Sequence, residues 1–259
     1  MTDIPIEIFT KFNSVKFNDE IHQYDINGKK LISVTSLIGK YKNKFDEDYW
    51  SEYKANEFNL PQHKILSAWS FINKKATLKG SIVHNYAENL FNNKFFPYPK
   101  DLVIETFGYD PIFEDFLKSK VLVDKFYKDS FNKLIPIKTE YVVVDSDIGI
   151  GGMVDLLVYN VKCAEFQIWD YKTNKELSTS SRDKLKGSLC DLYESDIEVY
   201  SLQLSAYKYI IEKYINIKLG PSYLVWVNEK NDNYKIIPTI DRTDQIKKIF
   251  REYSLGLVA

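Results

Sequence analysis

Two cysteines, Cys163 and Cys190, are all that the 259 residues contain. That is too few for a disulfide framework or for a four-cysteine zinc or iron–sulfur site, and it fits a reducing compartment. Arginine is scarce too: of 35 basic residues only Arg182, Arg242 and Arg251 are arginine, while Ile, Asn and Lys abound, as in the product of an AT-rich genome. No excess of one charge exists either, since 36 acids leave a formal net charge of −1. Any attraction to a polyanion must therefore come from local patches. Nowhere do eighteen apolar residues run together, and the opening MTDIPIEIFTKF has acids where a signal peptide needs a basic start and an apolar centre. The expectation is a cytoplasmic protein with no membrane partner. Repeats at solenoid periods and low-complexity tracts are also missing, so the chain reads as globular.

What is present suffices for a sizeable core, with 44% hydrophobic and 27% charged residues. The stretch His22–Ser33 alternates around Asn27-Gly28, a pair suited to turn positions with φ > 0, and predicts a β-hairpin. Helices are predicted over 46–58, 61–79, 81–93 and 110–132, with Phe95-Phe-Pro-Tyr-Pro-Lys100 breaking the pattern. The period then changes to short β-branched and aromatic runs, Tyr141–Val144, Gly152–Tyr159 and Glu165–Tyr171, which predict a three-stranded meander. A polar segment, 173–195, precedes a helix to about Tyr214, strands at Tyr223–Val227 and Tyr234–Ile237, and a closing helix near 242–254. One mixed α/β sheet flanked by helices is the expected architecture.

Chemistry concentrates in a few residues. Asp170 and Lys172 share one face of a strand, with Trp169 and Tyr171 on the other, so a carboxylate and an ammonium stand side by side. An Asp/Lys couple of this kind also occurs on ordinary strand edges. Asp155 interrupts an apolar run, where a lone buried charge costs several kcal/mol, roughly, unless paired or metal-bound. Two acids on adjacent strands suit a hard dication such as Mg²⁺. Gly80, His84 and Glu88 recur at helical spacing on one face, although a single histidine is more often a satisfied core residue than a ligand. Tyr200, Gln203 and Tyr207 approximate one face of a later helix, while Glu140 opens the first strand of the meander.

In this order, Gly80-x-x-x-His84, Glu140, Gly152-Met-Val-Asp155, Asp170-Tyr-Lys172-Thr and Gln203-x-x-x-Tyr207 resemble the RecB-like exonuclease branch of the PD-(D/E)XK nuclease superfamily, over roughly residues 78–230. The opening His22-x-Tyr…Gly28…Ser33-Val-Thr-Ser is similar to the front of phage exonucleases and of the mitochondrial genome maintenance exonuclease. The resemblance implies a PD-(D/E)XK core over 80–259, behind an N-terminal hairpin and helical DNA-guiding region over 1–79. By it, His84, Asp155 and Asp170 are direct ligands of one or two Mg²⁺ or Mn²⁺ ions, with the Tyr171 carbonyl completing the shell. Lys172 would orient or activate the attacking water, Gln203 and Tyr207 would position the nucleotide or support Lys172, and Glu88 and Glu140 would stand behind the ligands. The final acid is Asp rather than Glu, which the family accepts, and the missing cysteine quartet disfavours its iron–sulfur variety.

The implied activity is a metal-dependent DNA exonuclease acting on single strands or ends, in phage or bacterial replication, recombination or repair. A structure-specific endonuclease and a non-catalytic DNA-binding subunit are the alternatives. Residues 61–80 hold Lys64, Lys74, Lys75 and Lys79, no acid, and Trp69 among them; Lys175 and Arg182 add a second basic patch. Basic segments interleaved with aromatics suit single-stranded nucleic acid, while lysines on a helix are equally its solvated face. The sequence names no protein partner.

Overall fold

The structure is a computed structural model and describes residues 6–12, 15–18, 23–26 and 28–258. Strands β1 (Lys16–Asn18), β2 (Gln23–Ile26) and β3 (Lys29–Ser33) form an antiparallel ribbon. Its β2–β3 turn carries Gly28 at φ +80°, where an L side chain is strained, and the Gly28 N–H donates to Asp25 Oδ1 at 2.8 Å. The predicted hairpin is therefore present; His22 and Asn27 lie outside the described residues. Ser33 then caps a short helix not foreseen from sequence, α1 (Val34–Gly39), by accepting the Ser36 N–H at 3.0 Å.

Asp46 caps α2 (Glu47–Phe58) in the same way, and Asn59 in the left-handed region ends it. From there the chain departs from expectation. The two helices predicted over 61–79 and 81–93 are one, α3 (Gln62–Phe91), thirty residues long. Gly80 weakens a helix interior by only about 1 kcal/mol and leaves every backbone hydrogen bond possible, so it does not break the helix. A Cβ there would lie 3.4 Å from Thr173 Oγ1, an ordinary contact, so the helix passes the end of the central strand closely without requiring glycine. The break at Phe95–Pro99 is followed by α4 (Lys100–Phe107), also unforeseen, and by α5 (Phe113–Ser130) inside the predicted 110–132.

The meander consists of β4 (Leu134–Asp145), β5 (Ile150–Asn160) and β6 (Glu165–Lys172); then come α6 (Asp196–Ile215), β7 (Tyr223–Trp226), β8 (Lys235–Pro238) and α7 (Thr243–Ser254). Sheet order is β1-β2-β3-β5-β6-β7-β8, with β4 on the other edge of β5. Two apolar layers cover the two faces. Leu157, Ile168 and Leu224 join the core under α1, α6 and α7, whereas Leu156, Trp169 and Val225 face α3 and α5. The alternation follows from the two-residue period of a strand. This mixed sheet flanked by helices, with its N-terminal hairpin and helical layer, is the architecture expected from the sequence. Among the described residues no helix is long and apolar enough to cross a membrane.

One irregularity makes the cleft. β6 pairs with β5 from Asn160↔Glu165 to Leu156↔Trp169 and stops there, while β3 pairs with the same edge only at Ile150 and Gly151. The strands splay between these two ladders, at the step where Asp155 would face Asp170.

Candidate active site

The splay leaves the Tyr171 N–H without a strand partner on β5, and it donates instead to Asp155 Oδ2 at 2.8 Å. The same oxygen lies 3.1 Å from His84 Nδ1, which α3 carries across the open end of the sheet. On the other edge, the β4–β5 register passes from Thr139↔Leu156 to Tyr141↔Val154, and Glu140 between them adopts φ +44°. A left-handed non-glycine residue inside a strand is strained, and here the register runs unbroken through it, so the twist redirects the side chain without adding a residue to the ladder. Here the redirection brings the Glu140 carboxylate into a cluster with His84 and Asp155, in which one ligand atom from each lies within 4.8 Å of the others. On the neighbouring strand, Lys172 Nζ stands 2.5 Å from Asp170 Oδ2, a carboxyl that is 1% exposed. That contact is close but not aligned as a hydrogen bond, so this buried oxygen keeps unused lone-pair capacity. All these groups line one cleft of about 610 Å³.

The electrostatics follow from the crowding of acids in a dry place. Burial pushes the Asp170 carboxyl up to about 6, with the charge of Asp155 adding to it. Burial and the Asp155 charge together raise Glu140 to about 8. Asp155 moves the other way: burial opposes its charge, but His84, Lys172 and the Tyr171 N–H outweigh that and hold it below the usual carboxylate range. For His84, burial disfavours the imidazolium, and Asp155 beside it overrides this and lifts the group to about 9. Without metal, protons and Lys172 thus neutralise the acids. A hard dication fits the same place, because carboxylate oxygens and one imidazole are the donors present; Asp170, expected as a ligand, stands outside this triad but lines the same cleft.

No protein-family model matches the chain, and no curated protein does. A crystal structure of a candidate exonuclease from Eubacterium rectale aligns with 71% of this chain and 69% of its own, at 14% identity and a TM-score of 0.44.

Other residues singled out in the sequence have definite places. Glu88 lines the cleft on α3 and adds its charge to the environment of Glu140. Gln203 Nε2 donates to Tyr207 Oη at 3.0 Å, and both line the floor of the cleft under Gly152. Of the residues expected to bind DNA, Lys64 and Lys74 are exposed on the first half of α3, with Trp69 against Phe45 at a ring separation of 5.8 Å. Lys75 instead pairs with Asp115 at 2.8 Å, and Lys79, only 7% exposed, pairs with Glu229 at 2.5 Å. Lys175 and Arg182 are exposed in the segment after β6. Sequence reasoning assigned no role to Asn174 and Asn228. The Asn228 amide donates to the carbonyls of Thr173 and Asn174 at 3.1 and 2.8 Å and fixes the end of β6. Single asparagines in polar segments carry no periodic signal that would have marked them.

Proposed function

We propose that this chain is a metal-dependent nuclease that hydrolyses DNA phosphodiester bonds and works inward from strand ends. The observation that carries the reading is the meeting, in one cleft, of the His84–Glu140–Asp155 cluster with the buried Asp170–Lys172 pair. Phosphodiester hydrolysis needs a water made nucleophilic, neutralisation of the phosphoryl oxygens and compensation for charge on the leaving alkoxide.

His84, Glu140 and Asp155 would hold a Mg²⁺ or Mn²⁺ ion, with Asp170 and the Tyr171 carbonyl able to complete its shell. When bound, the ion supplies Lewis acidity toward a phosphoryl oxygen and lowers the pKa of a coordinated water. The remaining functions belong to the chain. Lys172, fixed against Asp170, places a positive charge at the wall of the cleft, where it orients the attacking water and offsets charge on the phosphate. The Tyr171 N–H and His84 keep Asp155 ionised and aimed. Gln203 and Tyr207 shape the floor on which a nucleotide would rest. Lys64, Lys74 and Trp69 lie on the first half of the helix that leads to His84, a route suited to one strand rather than a duplex. DNA as the substrate, the Mg²⁺ or Mn²⁺ requirement and the preference for ends rest on this chemistry and on the resemblance of the motifs.

The test is cleavage of end-labelled single-stranded DNA, of frayed duplex and of closed circles of the same sequence. EDTA should abolish digestion and Mg²⁺ or Mn²⁺ should restore it. Linear substrates should fall to short products while circles survive. Full activity in excess chelator would overturn the metal centre, and rapid linearisation of circles would favour an endonuclease.

A further inference from the structure

Lys172 has a second neighbour besides Asp170. Its Nζ lies 4.3 Å from the centroid of the Tyr200 ring, on the α6 side of the cleft. A cation held this close to a ring face, away from bulk water, is attracted by the ring quadrupole. The ring in turn is held at its far end, because Tyr200 Oη donates to Asn174 Oδ1 at 3.1 Å. Asn174 belongs to the two residues that follow Lys172 on the chain, and the Asn174 carbonyl accepts both Trp226 Nε1 at 2.7 Å and Asn228 Nδ2 at 2.8 Å. The Thr173 carbonyl accepts Asn228 Nδ2 as well, at 3.1 Å. Backbone and side chain of Lys172 are thus fixed by one connected set of groups from β6, α6 and the strand that ends at Trp226.

We propose that Tyr200 is a positioning residue for Lys172: its ring face and the Asp170 carboxylate hold the ammonium between them, so that one of several lysine rotamers is populated when substrate arrives. The physical need is plain. A lysine side chain loses rotamer entropy when fixed, and a single carboxylate contact at 2.5 Å sets a distance but not a direction. The ring supplies the second constraint. Tyr200 is not among the residues lining the cleft that holds His84 and Glu140, so it can hold the ammonium without occupying space in the metal cluster. Tyr200 itself touches no reacting atom and acts through Lys172 alone.

This inference rests on the nuclease reading for its kinetic consequence but not for its geometry, and the experiment separates the two. Replacing Tyr200 with phenylalanine and then with its mono-, di- and trifluorinated forms drains the ring quadrupole in steps at nearly constant shape, with Tyr200→Phe as the reference because all four lack the hydroxyl bonded to Asn174. The cleavage rate kcat should fall stepwise along the series, whereas DNA binding in Ca²⁺ and Tm stay level. Tyr200→Leu should lower kcat about tenfold to thirtyfold, the scale of a desolvated cation–π contact, and Tyr200→Phe should restore most of that loss. Independently of any turnover, NMR of the full-length protein carrying isotope-labelled lysine should show the Lys172 ε-methylene shifted upfield by the ring, with the assignment made by Lys172→Arg. The shift should vanish in Tyr200→Leu. A flat fluorination series in an active enzyme would refute the positioning role. An unshifted Lys172 signal would refute the contact itself, whether or not the protein cuts DNA. A wild-type protein with the shift but no cleavage would refute the nuclease reading and leave the contact standing.

Discussion

Gly152 is the most sensitive small residue of the site, and the consequence of adding one methyl group there can be worked through. A Cβ at this position would lie 2.2 Å from Tyr207 Cε1, 3.0 Å from Cδ1 and 3.1 Å from Cζ. Ordinary carbon–carbon contact begins near ~3.5 Å, so the ring edge has to retreat by roughly 1.3 Å. It has little room, because Tyr207 is 3% exposed and belongs to the core under α6. Overpacking of this kind costs about 1–3 kcal/mol, and replacing glycine by alanine in an extended segment returns ~0.5–1 kcal/mol through backbone entropy. Taken at their midpoints the two terms leave a net loss for Gly152→Ala of about 1 kcal/mol, or a Tm lower by roughly 2–4 °C in a protein of this size. Gly39→Ala is the control: nothing lies within 4 Å of its added Cβ, so its Tm should hold or rise slightly. Thermal denaturation of Gly152→Ala, of Tyr207→Leu and of the two combined completes a double-mutant cycle. Removing the ring should make the added methyl harmless, so the two changes together should cost less than their sum. Because a displaced Tyr207 also loses its 3.0 Å bond from Gln203, cleavage should drop with stability in the single variant. A Gly152→Ala protein as stable as Gly39→Ala would refute the contact and the reason given for glycine at this place.

Three further outcomes are expected. Lys172→Ala removes no metal ligand, so folding and Mn²⁺ binding by calorimetry should persist while the cleavage rate falls by ~10²–10³-fold; Asp155→Asn should lose the metal too, and wild-type turnover in Lys172→Ala would reduce the Asp170–Lys172 pair to an ordinary couple. In EDTA, Tm should fall as pH rises from about 6.5 to 9: His84 and Glu140 both hold their protons more tightly in the folded state, at about 9 and about 8, so the stabilisation from His84 is complete below 6.5 and lost by 9, and the cost of burying Glu140 grows until its folded pKa is passed. Saturating Mg²⁺ should flatten that slope, and an EDTA Tm that holds or climbs over this window would contradict the assignment. Lys64→Gln with Lys74→Gln should weaken DNA binding for every sequence and flatten its salt dependence, as expected of lysines on phosphates; unchanged salt dependence would remove them from the DNA path.

The meander, the helix after it and the polar segment between them were legible because each has its own period, and the Asp170–Lys172 pairing follows from strand alternation alone. The resemblance set Glu140 behind the ligands, but its place directly beside His84 and Asp155 was not legible. That place depends on a left-handed backbone inside β4, and no residue in Thr139-Glu140-Tyr141 announces such a turn. The fusion of two predicted helices into α3 was missed for a related reason: a glycine reads as punctuation in sequence, whereas the packing of Ile82, Val83, Tyr86 and Ala87 overrides its propensity. Lys75 and Lys79 looked like free charges because their partners, Asp115 and Glu229, are distant in sequence. Patterning reveals which groups a face carries, but tertiary contact decides which of them are spent on the fold.

The unbroken course of α3 has a mechanical meaning. Its second half buries Lys79, Ile82, Val83, Tyr86, Ala87 and Phe91, whereas its first half buries only Ile65. From Gln62 to His84 the axis runs roughly 33 Å at about 1.5 Å per residue. Along that length the outer turns are braced from several sides: Gln62 Nε2 donates to Ser51 Oγ at 2.9 Å on α2, Phe71 packs on Phe107 of α4, and Lys75 pairs with Asp115 of α5 at 2.8 Å. The helix is therefore a strut rather than a lever, and a shift of α2, α4 or α5 would be carried along its axis to the imidazole of His84.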